Sequence, residues 1–505
     1  MPDASPEELV AVAPAPVAPS TGAAANGSVA RSAFHLLSGQ VATTLLSILL
    51  NAKLGRTLGA TDFGLYFFLL TSTYFVNVFM EWGQGSILVR DVARRPDSTA
   101  RFLGSALAIR VALAVPGTIV GTLVVRLLGY DLRTQLLMAL TIVAFTPNSL
   151  FQTFGLVFRG RERMDLDARA TVLNKVLHVG MVLAAFALGG HLLAVIVSLG
   201  IAAVITLGYA IAKSRELAFG RLRIEAQAVR HLMSHGTPVL GMAVLAQAQI
   251  YIETLLLSAL GPAVVLGFYG AARTITNTLI MPASILITAS YPRLSRALGD
   301  PAAMREEVAN ALRPVLILGI LVASGTALFA DVAIGVIYGK EGYGPAVTIL
   351  QIMSPWLFLV FLNLLFASVL IIQGRATPIA AIRVVIMAAF ALLAWHVIPL
   401  TEQRWGSAAI GLLAASLLAE TVLLAASISL APRGILSRRS LADLLRALFS
   451  AGAATAVVLA LPVSTPIVRI PVFLLSFAAA AIACRLLGRA DMEILRNALN
   501  RTNRL

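Results

Sequence analysis

The sequence predicts an all-α polytopic membrane protein of about fourteen transmembrane helices. Three observations carry that reading. Of 505 residues, 58% are hydrophobic and only 12% are charged, about half the ~25% charged share of a soluble domain. Apolar runs of the ~20 residues needed to cross hydrocarbon recur along the chain. The basic residues cluster between alternate runs, as they do when cytoplasmic loops hold the positive charge.

The elements follow in order. The first thirty residues, MPDASPEELVAVAPAPVAPSTGAAANGSVA, are Pro/Ala-rich and lack Lys and Arg. A signal peptide needs a basic start and an unbroken apolar run, so residues 1–30 read as a disordered cytoplasmic tail. Spans are expected near 32–52, 63–88, 103–125, 135–158, 170–190, 192–212, 235–259, 263–291, 312–335, 346–372, 377–399, 407–430, 443–462 and 466–487. They group into an N-lobe of six helices (31–215), a cytoplasmic linker (216–234), a C-lobe of six (235–431), two further helices (432–490) and a basic cytoplasmic tail (491–505). With the N-terminus inside, inner loops and tails collect 29 of the 39 Lys and Arg residues, and outer turns hold seven: Lys53, Arg56, Arg126, Arg133, Lys340, Arg404 and Arg469. A missed span would scramble this alternation, so both termini are expected in the cytoplasm. The longest loop, 213–231, is about nineteen residues, so no soluble domain is inserted.

Composition excludes several classes of function. The net charge of +15 does not call for nucleic acid, because loop arginines account for it. Cys484 is the only cysteine, which excludes an intramolecular disulfide and a cysteine metal cluster. The six histidines have no metal-ligand spacing, and no Walker A sequence appears. No cofactor is expected. Asp165-Leu166-Asp167 mimics a DxD metal motif but reads as a solvated loop.

The chain also repeats itself. Residues 58–70 are LGATDFGLYFFLL and residues 260–272 are LGPAVVLGFYGAA. Gly160-Arg161 ends the fourth run and Gly374-Arg375 the tenth; Ser47 and Asn51 in the first helix match Gln249 and Glu253, 202 residues on, in the seventh. Helices one to six therefore resemble seven to twelve. An even number per copy gives parallel repeats about an axis normal to the membrane, with substrate between the halves. Gly59 and Gly64 are expected to tighten an outer hairpin, with the tyrosine at the interfacial belt.

Two stretches carry a family resemblance. LGATDFGLY, then NVFMEWGQGSILVRDVAR closing the second helix, resembles the polysaccharide flippases of the MOP superfamily (Wzx type). The matching residues are Phe63-Gly64-Leu65-Tyr66, Gly83-Gln84-Gly85 and Val89-Arg90. The helix count and the two-lobed repeat extend it over residues 31–490. The resemblance implies a transporter and not an enzyme, in the bacterial inner membrane. Its cargo would be a polyprenyl-pyrophosphate-linked oligosaccharide, moved to the outer leaflet for O-antigen or exopolysaccharide synthesis. A polysaccharide polymerase and a chain-length regulator would be its partners.

Intramembrane polar groups supply candidate site residues, because they are costly in lipid. Arg273 lies about ten residues into the eighth span, about 15 Å deep at 1.5 Å per residue. Tyr269, Arg273 and Asn277 share one face. A midplane guanidinium suits a pyrophosphate, held by bidentate hydrogen bonds; an ion pair with Glu253 is the competing reading. Gln40, Thr44, Ser47 and Asn51 form a polar stripe on the first helix, and Thr73, Asn77 and Glu81 another on the second; each suits cavity lining or interhelical glue. Lys175, with Asn174 and His178, suits an inner vestibule for an anionic headgroup. Arg110 is expected to snorkel to the headgroups. Glu420, Glu253 and Glu81 are candidates for ion coupling or gating, with a satisfied buried carboxyl the other reading for Glu420. Pro116, Pro147, Pro238, Pro282, Pro314 and Pro355 lie within spans and can kink them. The rival function is a MATE-like multidrug exporter, but the first helix has no acidic residue and the deepest charge is positive. A membrane polymerase or ligase would need a large outer loop.

Overall fold

A computed structural model describes residues 23–217, 219–431, 434–435, 438–461 and 465–486, with side chains from residue 39 onward. Among these residues every regular element is a helix. Residues 1–22 of the expected N-terminal tail, the expected C-terminal tail 491–505, and Arg433 lie outside the described residues. The chain divides into two compact units, Met1–Gly270 and Ala271–Leu505.

The first unit holds α1 (Ala23–Glu81), α2 (Gln84–Arg94), α3 (Thr99–Leu127), α4 (Leu132–Gly160), α5 (Met164–Ala187), α6 (Leu192–Glu216), α7 (Ala226–Leu260) and the opening turns of α8 (Ala263–Arg296). α1 is two arms. Gly59 sits at φ 73°, ψ 172°, a conformation open to glycine and unfavourable for a side chain, and the chain turns there. Asp131 starts α4 by accepting a hydrogen bond from the Thr134 backbone N–H at 3.1 Å, which satisfies one of the unpaired first-turn donors. The second arm of α1 ends at Glu81, where Trp82 (φ 49°) and Gly83 (φ 66°) break the helix. The expected span to residue 88 is therefore corrected: its last residues belong to α2. α3 packs on α4, α4 on α6, and α5 on both α1 and α6.

α7 runs along the second arm of α1. Phe75 stacks on Tyr251 with centroids 4.2 Å apart and rings 3° from parallel. At one end the repeated motif meets itself. A Cβ on Gly64 would lie 2.6 Å from the backbone nitrogen of Gly267, and one on Gly267 would overlap the Ala60 carbonyl oxygen. At the other end a Cβ on Gly83 would lie 2.7 Å from the Leu240 nitrogen. The expectation for the first motif is thus corrected. Gly59 does turn the chain, but Gly64 lies within a helix and permits backbone contact with Gly267. Tyr66 and Tyr269 are 6% and 0% exposed, because the helix packing, not the membrane surface, receives their rings.

The second unit holds the rest of α8, α9 (Pro301–Leu328), α10 (Ala330–Ile337), α11 (Lys340–Ile372), α12 (Ala376–Trp405), α13 (Ala408–Leu430), α14 (Arg438–Ala460) and α15 (Pro466–Ala483). Asp300 caps α9 through the Ala302 and Ala303 N–H groups at 2.8 and 3.2 Å, with Pro301 in the first turn. The expected span 312–335 is corrected here: a break at Phe329 separates α9 from α10. Leu312, Trp356, Phe361 and Phe366 centre one core, and Phe473 and Phe477 centre another over α14 and α15.

Twelve helices among the described residues are long and apolar enough to cross a membrane. One of them, Gly39–Glu81, is the bent pair of arms. α8 has crossing length, 34 residues, but Arg273, Asn277 and its threonines make it more polar. Counting both arms of α1 and adding α8 gives fourteen helical arms where the sequence places its spans. The protein is an all-α, multi-pass membrane protein.

Candidate functional site

Helical spacing builds a polar cavity inside the first unit. It has a volume of about 500 Å³. Gln40, Thr43 and Ser47 enter it from the first arm of α1 and Glu81 from the second; Arg110 comes from α3, and Asn148, Gln152 and Arg159 from α4; Asp167, Thr171, Asn174 and Lys175 come from α5. Spacings of three, four and seven put each set on one helix face.

Arg110 is the fixed cation. It is 1% exposed. Its Nη1 donates to the Ser149 carbonyl oxygen at 3.0 Å and hydroxyl at 2.7 Å, and its Nη2 lies 3.8 Å from a Glu81 carboxylate oxygen. The snorkelling expected of Arg110 is therefore corrected: two acceptors on α4 and a carboxylate on α1 hold the guanidinium inside the helix bundle. Glu81 is the looser member, its side chain 36% exposed. Arg159 donates to Asp167 at 2.6 Å. Lys175 is half-buried and, among the described residues, makes no ion pair.

The remaining candidates fall in several places. Gln40 and Ser47 line the cavity, whereas Asn51 turns its amide onto the Ser47 carbonyl oxygen at 2.8 Å. Asn77 is 9% exposed and its side-chain oxygen accepts no hydrogen bond; it does not line the cavity. Tyr269 donates to Glu253 at 2.6 Å, and Gln249 donates to the same carboxylate at 3.4 Å. In the second unit the Arg273 guanidinium lies 4.3 Å from the Trp356 ring centroid and is 7% exposed, while Asn277, one turn on, is exposed. Asn363 donates to the Glu420 carboxylate at 2.6 Å and its carbonyl oxygen at 3.0 Å. The solvated loop expected at Asp165-Leu166-Asp167 is corrected: these residues form the first turn of α5 with Asp167 buried, and each acid already has a cation, Arg163 at 2.9 Å from Asp165 and Arg159 on Asp167. The Asp165 hydrogen bond holds the Arg163 pKa above its usual value.

Sequence reasoning missed the α4 contribution of Asn148, Gln152 and Arg159. Its signal was present, since Asn148 and Gln152 are four residues apart in an apolar helix and bond each other at 2.7 Å.

The fold is shared with proteins of known structure. It superimposes on a structure titled "Lipid II flippase MurJ, inward closed conformation" with a TM-score of 0.71, at 12% identity, over 90% of this chain and 100% of that one. An inward-facing multidrug resistance MATE family transporter of the MOP superfamily gives 0.62 at 13% identity, over 77% and 94%. Both likenesses define the fold alone. Residues 29–298 match the family described as "Polysaccharide biosynthesis protein", and the chain belongs to that family. It is also 23% identical over 374 residues to a protein of Escherichia coli (strain K12) named "Putative O-antigen transporter", covering 66% of this chain and 81% of that protein.

Proposed function

We propose that the protein moves a polyprenyl-pyrophosphate-linked oligosaccharide from the cytoplasmic to the outer leaflet of the bacterial inner membrane. The observation that carries this is the cavity in the first unit, where Lys175 has no counter-ion and Arg110 is locked in place. A desolvated pyrophosphate needs fixed cationic donors. The flanking amides and hydroxyls of Gln40, Ser47, Asn148 and Gln152 suit sugar hydroxyls. The polyprenyl tail stays in lipid while the cavity opens to one side and then the other. Arg273, backed by the Trp356 ring in the second unit, is a further candidate for contact with a pyrophosphate. The arginine-rich loops and both termini face the cytoplasm, where the lipid-linked unit is made, and a polymerase and chain-length regulator act on the delivered product.

The test is lipid extraction from cells lacking the gene, followed by mass spectrometry. A polyprenyl-pyrophosphate oligosaccharide should accumulate. Lys175→Arg should clear it, and Lys175→Gln, expressed normally, should clear it at least about tenfold more slowly. An unchanged lipid pool with new sensitivity to cationic drugs would replace the flippase by an exporter, for which the partly exposed Glu81 carboxylate in the cavity would be the binding group.

A further inference from the structure

The first unit contains another cavity, of about 390 Å³, that shares no lining residue with the transport cavity. It lies among the ends of α2, α3 and α7. Arg90, Arg94, Arg95 and Arg101 line it, with Asp91 and His231. Four like charges in so small a volume repel one another. Asp91, the carboxylate that lines it, and Glu225, at the cap of α7, are already engaged. Asp91 bonds His231 at 2.8 Å and Arg90 at 3.1 Å, and Glu225 sits 3.4 Å from Arg101. Among the described residues Arg94 and Arg95 make no ion pair and are exposed. The Nε of Arg101 is buried without an acceptor, while its guanidinium lies 5.1 Å from the centroid of the Phe102 ring.

Donors therefore outnumber acceptors, and neither Arg94 nor Arg95 is held by packing. An anion with several oxygens, shared among forked guanidiniums, would correct the imbalance. Basic pockets between transmembrane helix ends meet phosphate groups at this depth. We propose that this cavity binds a phosphate-bearing anion and that occupancy ties the ends of α2, α3 and α7 together. Asp91 and His231 already join α2 to α7, and Arg101 and Glu225 join α3 to the cap of α7, so the anion would reinforce existing links. The site stands whatever the cargo of the transport cavity.

Two sources carry this chemistry: an acidic membrane phospholipid and a soluble phosphate compound. The full chain in phosphatidylcholine nanodiscs separates them. One arm adds phosphatidylglycerol to the disc and the other adds inorganic pyrophosphate to the buffer at constant ionic strength; the readouts are melting temperature and anion retained by native mass spectrometry. We expect a saturable rise in one arm, which identifies the source. R94Q/R95Q should weaken it about tenfold, R94K/R95K should largely keep it, and R221Q, at an exposed arginine outside the cavity, should leave it intact. No saturable response in either arm overturns the proposal, as does a response that R94Q/R95Q leaves unchanged while the protein remains folded.

Discussion

At the scale of single residues, a charge buried in this protein is held by the partner it finds. Arg110 reads in the sequence as one more arginine near a helix end. Only the packing of α3 on α4 brings Ser149 to it, 39 residues along the chain. Arg110→Leu should destabilise the protein by about 1–3 kcal/mol, because it leaves the Ser149 hydroxyl without its donor in the interior. A double-mutant cycle with Ser149→Ala should give a coupling of about 1–3 kcal/mol, as a hydrogen bond to a charged group does. Asp131 gives a pH test outside the membrane. Hydrogen bonds from the Thr134 side chain and backbone hold its carboxyl below the usual value. Its stabilisation is present above the unfolded-state value of about 3.9 and is lost as pH falls through the lower folded value. Asp131→Asn keeps a cap without a titration, so its melting temperature should fall less than the wild type's between about pH 5 and 3. Residue types were thus legible in the sequence. Partners were not, because they lie on other helices: the stripe Tyr269, Arg273 and Asn277 shares a helix face, yet Asn277 is exposed while Tyr269 is held by Glu253 of α7.

At the scale of elements, hydropathy located the helices well because a span must be apolar over its length. It was blind to breaks inside polar-rimmed stretches. The paired glycines of Gly83-Gln84-Gly85 mark the turn that follows Glu81, but the apolar run 63–88 was read through them, and α2 went unread as a separate helix for that reason. The small residues were legible as a repeat but not as a contact. Gly267→Ala should destabilise by more than about 3 kcal/mol, since the added methyl meets the Ala60 carbonyl oxygen and backbone cannot step aside. Gly180→Ala is the matched control. It lies inside α5 with nothing within 4 Å of a new Cβ, so it should gain about 0.5–1 kcal/mol from helix propensity. Thermal unfolding of both variants in detergent checks the contrast.

At the scale of the whole molecule, the family was readable from a few glycines and aromatics, and the multi-pass architecture from the recurring apolar runs. Orientation rests on charge alone and can be measured directly. Cys484 is the only cysteine, so Cys484→Ser gives a silent background. On it, Arg404→Cys should react with an impermeant maleimide in intact cells, and Arg221→Cys only after the membrane is opened. The seam between Gly64 and Gly267 bears on a demand that any such machine faces. A transporter that passes a bulky polar headgroup must not short-circuit the membrane, where each charge crossing is worth about 2.3 kcal/mol per 100 mV. Where two backbones leave no room for a methyl group, they leave none for a water file or a hydrated ion. In the flippase proposed above, that seam would act as an electrical seal while it stays closed, and proton conductance, not transport rate, is the property that a loosened Gly64 contact should change first.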